Sequence, residues 1–242
     1  MLLRRQLCVV LHQIQSAENL GAVARLVANF GFGVLRLSDP QMEDTAGANR
    51  TAVHAEHVLA SAERVSHLED AVADAVYVLG TSGRDALRGR VPVSPEEGIE
   101  RLRAASARGP VALVLGGERR GLSDEELALC QDVACIPAPG PQPSMNIAQA
   151  AAVLLYLASR ADEAAAPEVS PDPGAPQELR EVLRRRMERA LRAADGLNPQ
   201  SPLPVLDEML RALDRAQLSR REAELWAAAW KQVARAAGAP GD

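Results

Sequence analysis

Aromatic residues are scarce in this 242-residue chain, where Phe, Tyr and Trp together make up 2%. Its cores must be built from small aliphatic side chains, which favours helices pressed closely against a sheet. Lysine is scarcer still. Of 27 basic residues only Lys231 is not arginine, a bias that reads as coding preference and carries no functional meaning. Cysteine is limited to Cys8, Cys130 and Cys135, in or beside apolar runs and without a CxxC pair, so buried reduced thiols are expected. No apolar run is long enough to span a bilayer: the best window, Ala148 to Ala158, is too short and contains Gln149. The apolar run near the N-terminus breaks at His12 and Gln13 without a cleavage-like site, and the expectation is a soluble cytoplasmic protein without membrane contact. A G-x-G-x-x-G turn after the first strand is missing, HQIQSAENLGA standing there instead. A Walker A loop and a Ser, His and acid set are missing too. These absences argue against a dinucleotide-binding Rossmann domain, a P-loop enzyme and a nucleophilic hydrolase.

A hydrophobic content of 47% is ample for a core. The formal charge of -5 speaks against a generic polyanion binder, but it is unevenly spread. Residues 1–160 carry 15 basic and 18 acidic groups, 161–177 carry 0 and 4, and 178–242 carry 12 and 10, for net charges of -3, -4 and +2. Nucleic-acid binding would therefore be local and arginine-led.

Strand-length apolar runs occur at Leu7–Leu11, Val34–Leu37, Ala75–Leu79, Val111–Leu115 and Val133–Ile136, with helical patterns between them. The alternation predicts an α/β fold, a parallel sheet with helices on both faces. Leu20, Val23, Val27 and Phe30 mark the core face of the first long helix; Arg25 points away, and Gly21, Ala22 and Ala28 leave that side open to close approach. The segment leading to Arg50 is polar and contains glycine, and reads as a loop. His54 and His57 lack further ligands nearby and read as surface residues, so no metal is expected. Three strands empty into ligand-grade loops: Gly80-Thr81-Ser82-Gly83, Gly116-Gly117-Glu118, and a proline-rich turn from Pro137 through Pro143 to Ser144-Met145-Asn146. Taken alone, the last reads most simply as Ser144 capping a buried helix. The run 161–177 has linker composition, which predicts one domain over 1–160 and a helical extension over 178–242. Arg184, Arg185 and Arg186 on the extension suit either a phosphate backbone or a solvated helix face.

Three stretches together resemble the SpoU/TrmH branch of the SPOUT RNA 2'-O-methyltransferases. They are Asn19-Leu20-Gly21 followed by Ala24-Arg25, the strand into Gly116-Gly117-Glu118 and then Gly121-Leu122, and Ile136-Pro137 followed by Ser144-Met145-Asn146. Within the branch, the Gly80-Thr81-Ser82 turn and the helical extension are most similar to TrmJ-type members, which methylate the cytidine or uridine ribose opening the tRNA anticodon loop. Met145 stands where the family has leucine, and the loop before Ser144 is unusually rich in proline.

The resemblance implies a C-terminal trefoil knot threaded through residues 135–160, and a homodimer. It also implies S-adenosyl-L-methionine as cofactor, held by Thr81, Ser82, Gly83, Gly116, Gly117, Ile136, Pro143, Ser144 and Met145. In the implied reaction a ribose 2'-oxygen displaces the methyl in line, so alignment supplies much of the acceleration. Family accounts make the arginine matching Arg25 the base. A guanidinium holds its proton to a pKa above about 12, so gripping the phosphate and stabilising the developing alkoxide suits Arg25 better. Asn19, Ser144 and Asn146 would orient it, and Glu118 would brace the loop. RNA, and tRNA in particular, is the expected partner. Two other readings stay open: a ribosomal RNA 2'-O-methyltransferase, and a SPOUT-fold RNA-binding or assembly protein without catalysis.

Overall fold

The computed structural model describes residues 2–42, 46–84, 87, 90–141, 144–163, 172–197 and 203–239. The chain divides into two compact units, 1–169 and 170–242. The first begins with a short helix α1 (Leu2–Gln6) and strand β1 (Leu7–His12), then α2 (Ala17–Phe30) and β2 (Val34–Ser38). Next come α3 (Ala46–Ala52), α4 (Glu56–Ala60), the short strand β3 (Glu63–Val65), α5 (Leu68–Val72) and β4 (Tyr77–Ser82). Helix α6 (Pro95–Ala105), β5 (Val111–Gly116), α7 (Asp124–Leu127), β6 (Asp132–Cys135) and α8 (Ile147–Glu163) complete the unit.

The strands form one six-stranded parallel sheet in the order β3-β2-β1-β5-β4-β6. Side chains on a strand alternate between faces, and both faces here are covered. Leu7, Val9 and Leu11 of β1, with Val111, Leu113 and Leu115 of β5, enter one core with Leu20, Val23 and Val27 of α2 and Ala151, Leu154 and Leu155 of α8. Cys8, Val10, Ala112 and Val114 enter the opposite core with Leu68, Ala71 and Val72 of α5 and Leu127 of α7. This double burial explains why the strands read as unbroken apolar runs. Each fully buried leucine contributes about 1.5–3 kcal/mol.

Several expectations need correction. The segment before Arg50, read as a loop, contains α3, and β3 pairs at the sheet edge through Arg36↔Glu63 to Ser38↔Val65. Three residues are too few for periodicity to reveal such a strand. The polar residues after Leu79 are no turn. Thr81 and Ser82 are the last rungs of β4, paired with Ala134 and Cys135 after the β5 pairing ends at Gly80↔Val114. The Asn19-x-Gly21 stretch lies inside α2, as the helical spacing from Leu20 implies, because Ser16 accepts from the Asn19 N–H at 3.1 Å and starts the helix ahead of it. Gly21 does not face open space: it is buried against α3, and a Cβ there would lie 2.0 Å from the Ala48 carbonyl oxygen and 2.1 Å from Thr51 Oγ1.

Helix α8 runs three residues past Arg160, and residues 164–171 of the expected linker lie outside those described. The second unit holds α9 (Gln177–Ala193), α10 (Leu203–Ala216) and α11 (Arg220–Ala236). Leu183, Met187, Leu206 and Ala227 make its small core, and Ser219 with Glu222 caps α11 reciprocally. Among the described residues no helix is long and apolar enough to cross a membrane.

Candidate active site

The carboxyl ends of β4 and β5 and the chain following β6 surround a cavity of about 300 Å³, at the small end of the range for ligand pockets. Thr81, Ser82 and Gly83 line it from β4, and Gly116, Gly117 and Glu118 from β5. Ile136, Ser144 and Met145 close the third side, with Leu115, Ile147 and Ala150 giving it an apolar floor. Eight of the nine residues expected around a cofactor therefore meet in one place; Pro143 lies outside the described residues. The loop reaches its position because Gly117 has no side chain: a Cβ there would stand 2.3 Å from the Gln13 carbonyl oxygen.

At the cavity edge a hydrogen-bonded chain joins three distant stretches. Asn146 Nδ2 donates to Asn19 Oδ1 at 3.0 Å, and Asn19 Nδ2 donates to Glu118 Oε1 at 2.9 Å. The Glu118 carboxylate also accepts from the backbone N–H groups of Gln15 (2.9 Å) and Ser16 (3.1 Å). Partial burial works against its charge, but the donors from Asn19, Gln15 and Ser16 outweigh that and hold the carboxyl below the usual carboxylate range. Glu118 is thus an ionised bracket tying the β5 loop to the start of α2.

Ser144 does not cap α8. The helix begins at Ile147, and the side chain of Asn146 accepts from the Ala148 N–H at 2.8 Å while its carbonyl accepts from Ala150 at 2.9 Å. Asn146 is therefore the cap, and its amide end remains available to Asn19. Ser144 is exposed beside the cavity, where no cap bond ties up its hydroxyl. Arg25 stands apart. It is exposed on α2, does not line the cavity, and makes no hydrogen bond or ion pair among the described residues.

Some cavity residues escaped the sequence reading or were given no role there. Arg84, anchored by Asp124 at 3.0 Å and by the Leu122 carbonyl at 3.2 Å, and Arg119 and Arg120 put three guanidinium groups in the wall. His12 ends β1 rather than opening a turn and is 4% exposed, with Nδ1 3.0 Å from Ser38 Oγ and Nε2 3.0 Å from Glu126 Oε1. Glu126 was detectable from its place three residues after Ser123, where it completes a capping box on α7. Burial opposes its charge too, and donors from Ser123, His12 and Arg120 hold its carboxyl below the usual range. His54 and His57 sit at the surface, and among the described residues no group of three His, Cys, Asp or Glu side chains is placed to hold a metal.

Glycine backbone at two strand ends and an apolar floor, bordered by Arg84, Glu118, Arg119 and Arg120, make a wall that fits a nucleoside cofactor such as S-adenosyl-L-methionine. Comparison with known proteins points the same way. The model of the SpoU rRNA methylase family matches residues 6–156. The chain is 31% identical over 220 residues to the tRNA (cytidine/uridine-2'-O-)-methyltransferase TrmJ of Klebsiella pneumoniae, covering 88% of this chain and 90% of that protein. It is 33% identical over 151 residues to the tRNA (cytidine-2'-O-)-methyltransferase TrmJ of Methanocaldococcus jannaschii, covering 61% of this chain and 65% of that protein. The crystal structure of TrmJ from Z. mobilis superimposes with a TM-score of 0.79 at 25% identity, covering 93% of this chain and 98% of the other. With the sheet, the cavity and all three motifs inside the matched region, this chain belongs to the SpoU rRNA methylase family.

Proposed function

We propose that the protein is an S-adenosyl-L-methionine-dependent RNA ribose 2'-O-methyltransferase that acts on tRNA, at the cytidine or uridine opening the anticodon loop. The observation that carries this is the cavity at the β4, β5 and β6 ends with the Asn146–Asn19–Glu118 chain along its edge. The TrmJ relatives, named for tRNA cytidine and uridine 2'-O-methylation, support the substrate. When bound, the cofactor supplies a methyl group activated on a sulfonium centre.

The residues of the chain have separable tasks under this reading. Backbone groups of Gly116, Gly117 and Ile136 hold the adenosine, and the Thr81–Gly83 edge and Met145 close over it. Thr81 Oγ1 is already committed to the Val114 carbonyl at 3.0 Å, which keeps that edge rigid. Ser144 and Asn146 orient the ribose, and Glu118 holds Asn19 in place through an ionised hydrogen bond. Arg25, a cation unpaired among the described residues, grips the RNA phosphate and stabilises the developing alkoxide. Since Arg25 lies off the cavity of its own chain, the reading includes a homodimer in which α2 of one protomer serves the cavity of its partner. It also includes the trefoil knot threaded by residues 135–160.

The test is transfer of labelled methyl to bulk tRNA and to ribosomal RNA, followed by nucleoside analysis. 2'-O-methylcytidine or 2'-O-methyluridine formed in tRNA is the expected product. Labelling of ribosomal RNA alone would move the substrate, and binding of RNA without labelling of either would overturn the enzyme reading. Arg25→Ala is expected to slow single-turnover transfer by two or more orders of magnitude, about 3 kcal/mol of transition-state stabilisation. A wild-type rate would remove Arg25 from the chemistry.

A further inference from the structure

Arg120 is held in the cavity wall from two sides. Its Nη2 donates to Glu126 Oε1 at 2.7 Å and to Gln13 Oε1 at 2.9 Å, and both anchors trace back to the end of β1. Gln13 follows His12 directly, and its own amide is tied to Asp39 Oδ2 at 2.9 Å. The other oxygen of Glu126 is occupied by the Ser123 N–H at 2.7 Å, so the carboxylate cannot turn without breaking the α7 cap. Its Oε1 faces two donors at once, Arg120 and His12. An ionised carboxylate only accepts, so the His12 ring carries its proton on Nε2 and takes the Ser38 hydroxyl hydrogen on Nδ1 when neutral.

Such a buried relay is more than a loop of this kind needs for stability. Gly117 already meets the Gln13 backbone, and Glu118 already binds Gln15 and Ser16. What the relay adds is a fixed direction for the guanidinium of a residue that lines the cavity and whose side chain is half exposed. A guanidinium so fixed, with donors left over, is suited to one oxyanion. We propose that Arg120 is an oxyanion-binding residue of this cavity and that His12 is its positioning residue, acting through Glu126. The inference rests on the proposed function, under which two oxyanions come within reach: the carboxylate of the cofactor's amino-acid tail and a phosphodiester of the RNA.

The experiment uses the full chain and three variants, Arg120→Gln, His12→Leu and His12→Gln; glutamine keeps a side-chain N–H that can reach Glu126. Equilibrium binding is measured for S-adenosylhomocysteine, for 5'-methylthioadenosine, which has the nucleoside but no amino-acid tail, and for tRNA. Arg120→Gln is expected to weaken one oxyanion-bearing ligand about tenfold, the loss of one charge-assisted hydrogen bond. His12→Leu should weaken the same ligand, His12→Gln should recover most of it, and methylthioadenosine should bind all variants as it binds the wild type. A loss confined to S-adenosylhomocysteine identifies the carboxylate; a loss confined to tRNA identifies the phosphodiester. Unchanged binding of both in Arg120→Gln would overturn the proposal. An equal loss for methylthioadenosine would overturn it too, since that marks general damage to the wall, as would a His12→Leu variant whose losses fall on a different ligand. If the wild type bound neither nucleoside, the proposed function would fail first and this inference with it.

Discussion

Replacing Gly21 by alanine sets two effects of opposite sign against each other. Alanine in a helix interior is favoured over glycine by about 1 kcal/mol, so an isolated α2 would gain. In the fold, however, the added Cβ would stand 2.0 Å from the Ala48 carbonyl oxygen and 2.1 Å from Thr51 Oγ1. The first of these is main chain and cannot swing aside; α3 would have to retreat by about 1 Å or more to reach ordinary contact distance. That retreat stretches the bond from Thr51 Oγ1 to the Glu18 carbonyl, now 2.9 Å, and loosens the buried Ala48 from the core. Overpacking of this kind costs about 1–3 kcal/mol, and the rigid partner places Gly21→Ala near the top of that range. The net expectation is a loss of about 2 kcal/mol, which lowers Tm by about 4–8 °C in a unit of this size. Thermal unfolding followed by circular dichroism reads it directly. A Tm at or above wild type would show that α3 does not rest on Gly21. A drop that vanishes at high protein concentration would instead reserve the glycine for contact between subunits.

Three further outcomes follow from the same structure. Asn146→Ala removes the α8 cap and is expected to cost about 1 kcal/mol in urea unfolding, whereas Ser144→Ala, which removes no cap, should stay within about 0.5 kcal/mol; the reverse order would restore Ser144 as the cap. Glu118 and Glu126 both have lowered carboxyl pKa values in the fold, so their contribution is present above the unfolded carboxylate value of about 4.3 and is lost as pH falls through the lowered folded values. The Glu118→Gln/Glu126→Gln double variant should therefore be less stable at neutral pH and lose less on acidification, and acid titrations that run parallel to wild type would contradict the assignment. Burial pushes the thiols of Cys8 and Cys130 up to about 12, while Cys135 is only partly buried. A thiol reagent at pH 8 should thus modify Cys135 first and reach the other two on unfolding, as peptide mapping would report.

Much of this molecule was legible in its sequence because both faces of its sheet are buried. Continuous apolar runs announced β1, β2, β4, β5 and β6, whereas the Ser16 cap that starts α2 emerged only in the structure. What stayed hidden was short or depended on partners. Strand β3 is only three residues long, and α3 is held by contact with Gly21 rather than by its own pattern. The Asn19, Glu118 and Asn146 motifs could be recognised, but their order along the chain does not say that one carboxylate holds one amide that holds another. His12 looked like the start of a turn because a histidine after five apolar residues breaks the run; only Ser38 and Glu126, 26 and 114 positions away, make it a buried end of β1.

By itself, then, the sequence determined the layer architecture, the loops that line the cavity and the family, since these depend on local periodicity and on residue types at fixed spacing. The tertiary structure alone decided which side chains meet. It assigned Asn146 rather than Ser144 to the cap, gave Gly21 to α3, and drew eight expected cofactor residues into one cavity. The physical reason is that hydrogen bonds and close contacts act over about 3–4 Å in space whatever the separation along the chain, and only the pairing order of the strands in the sheet sets those distances.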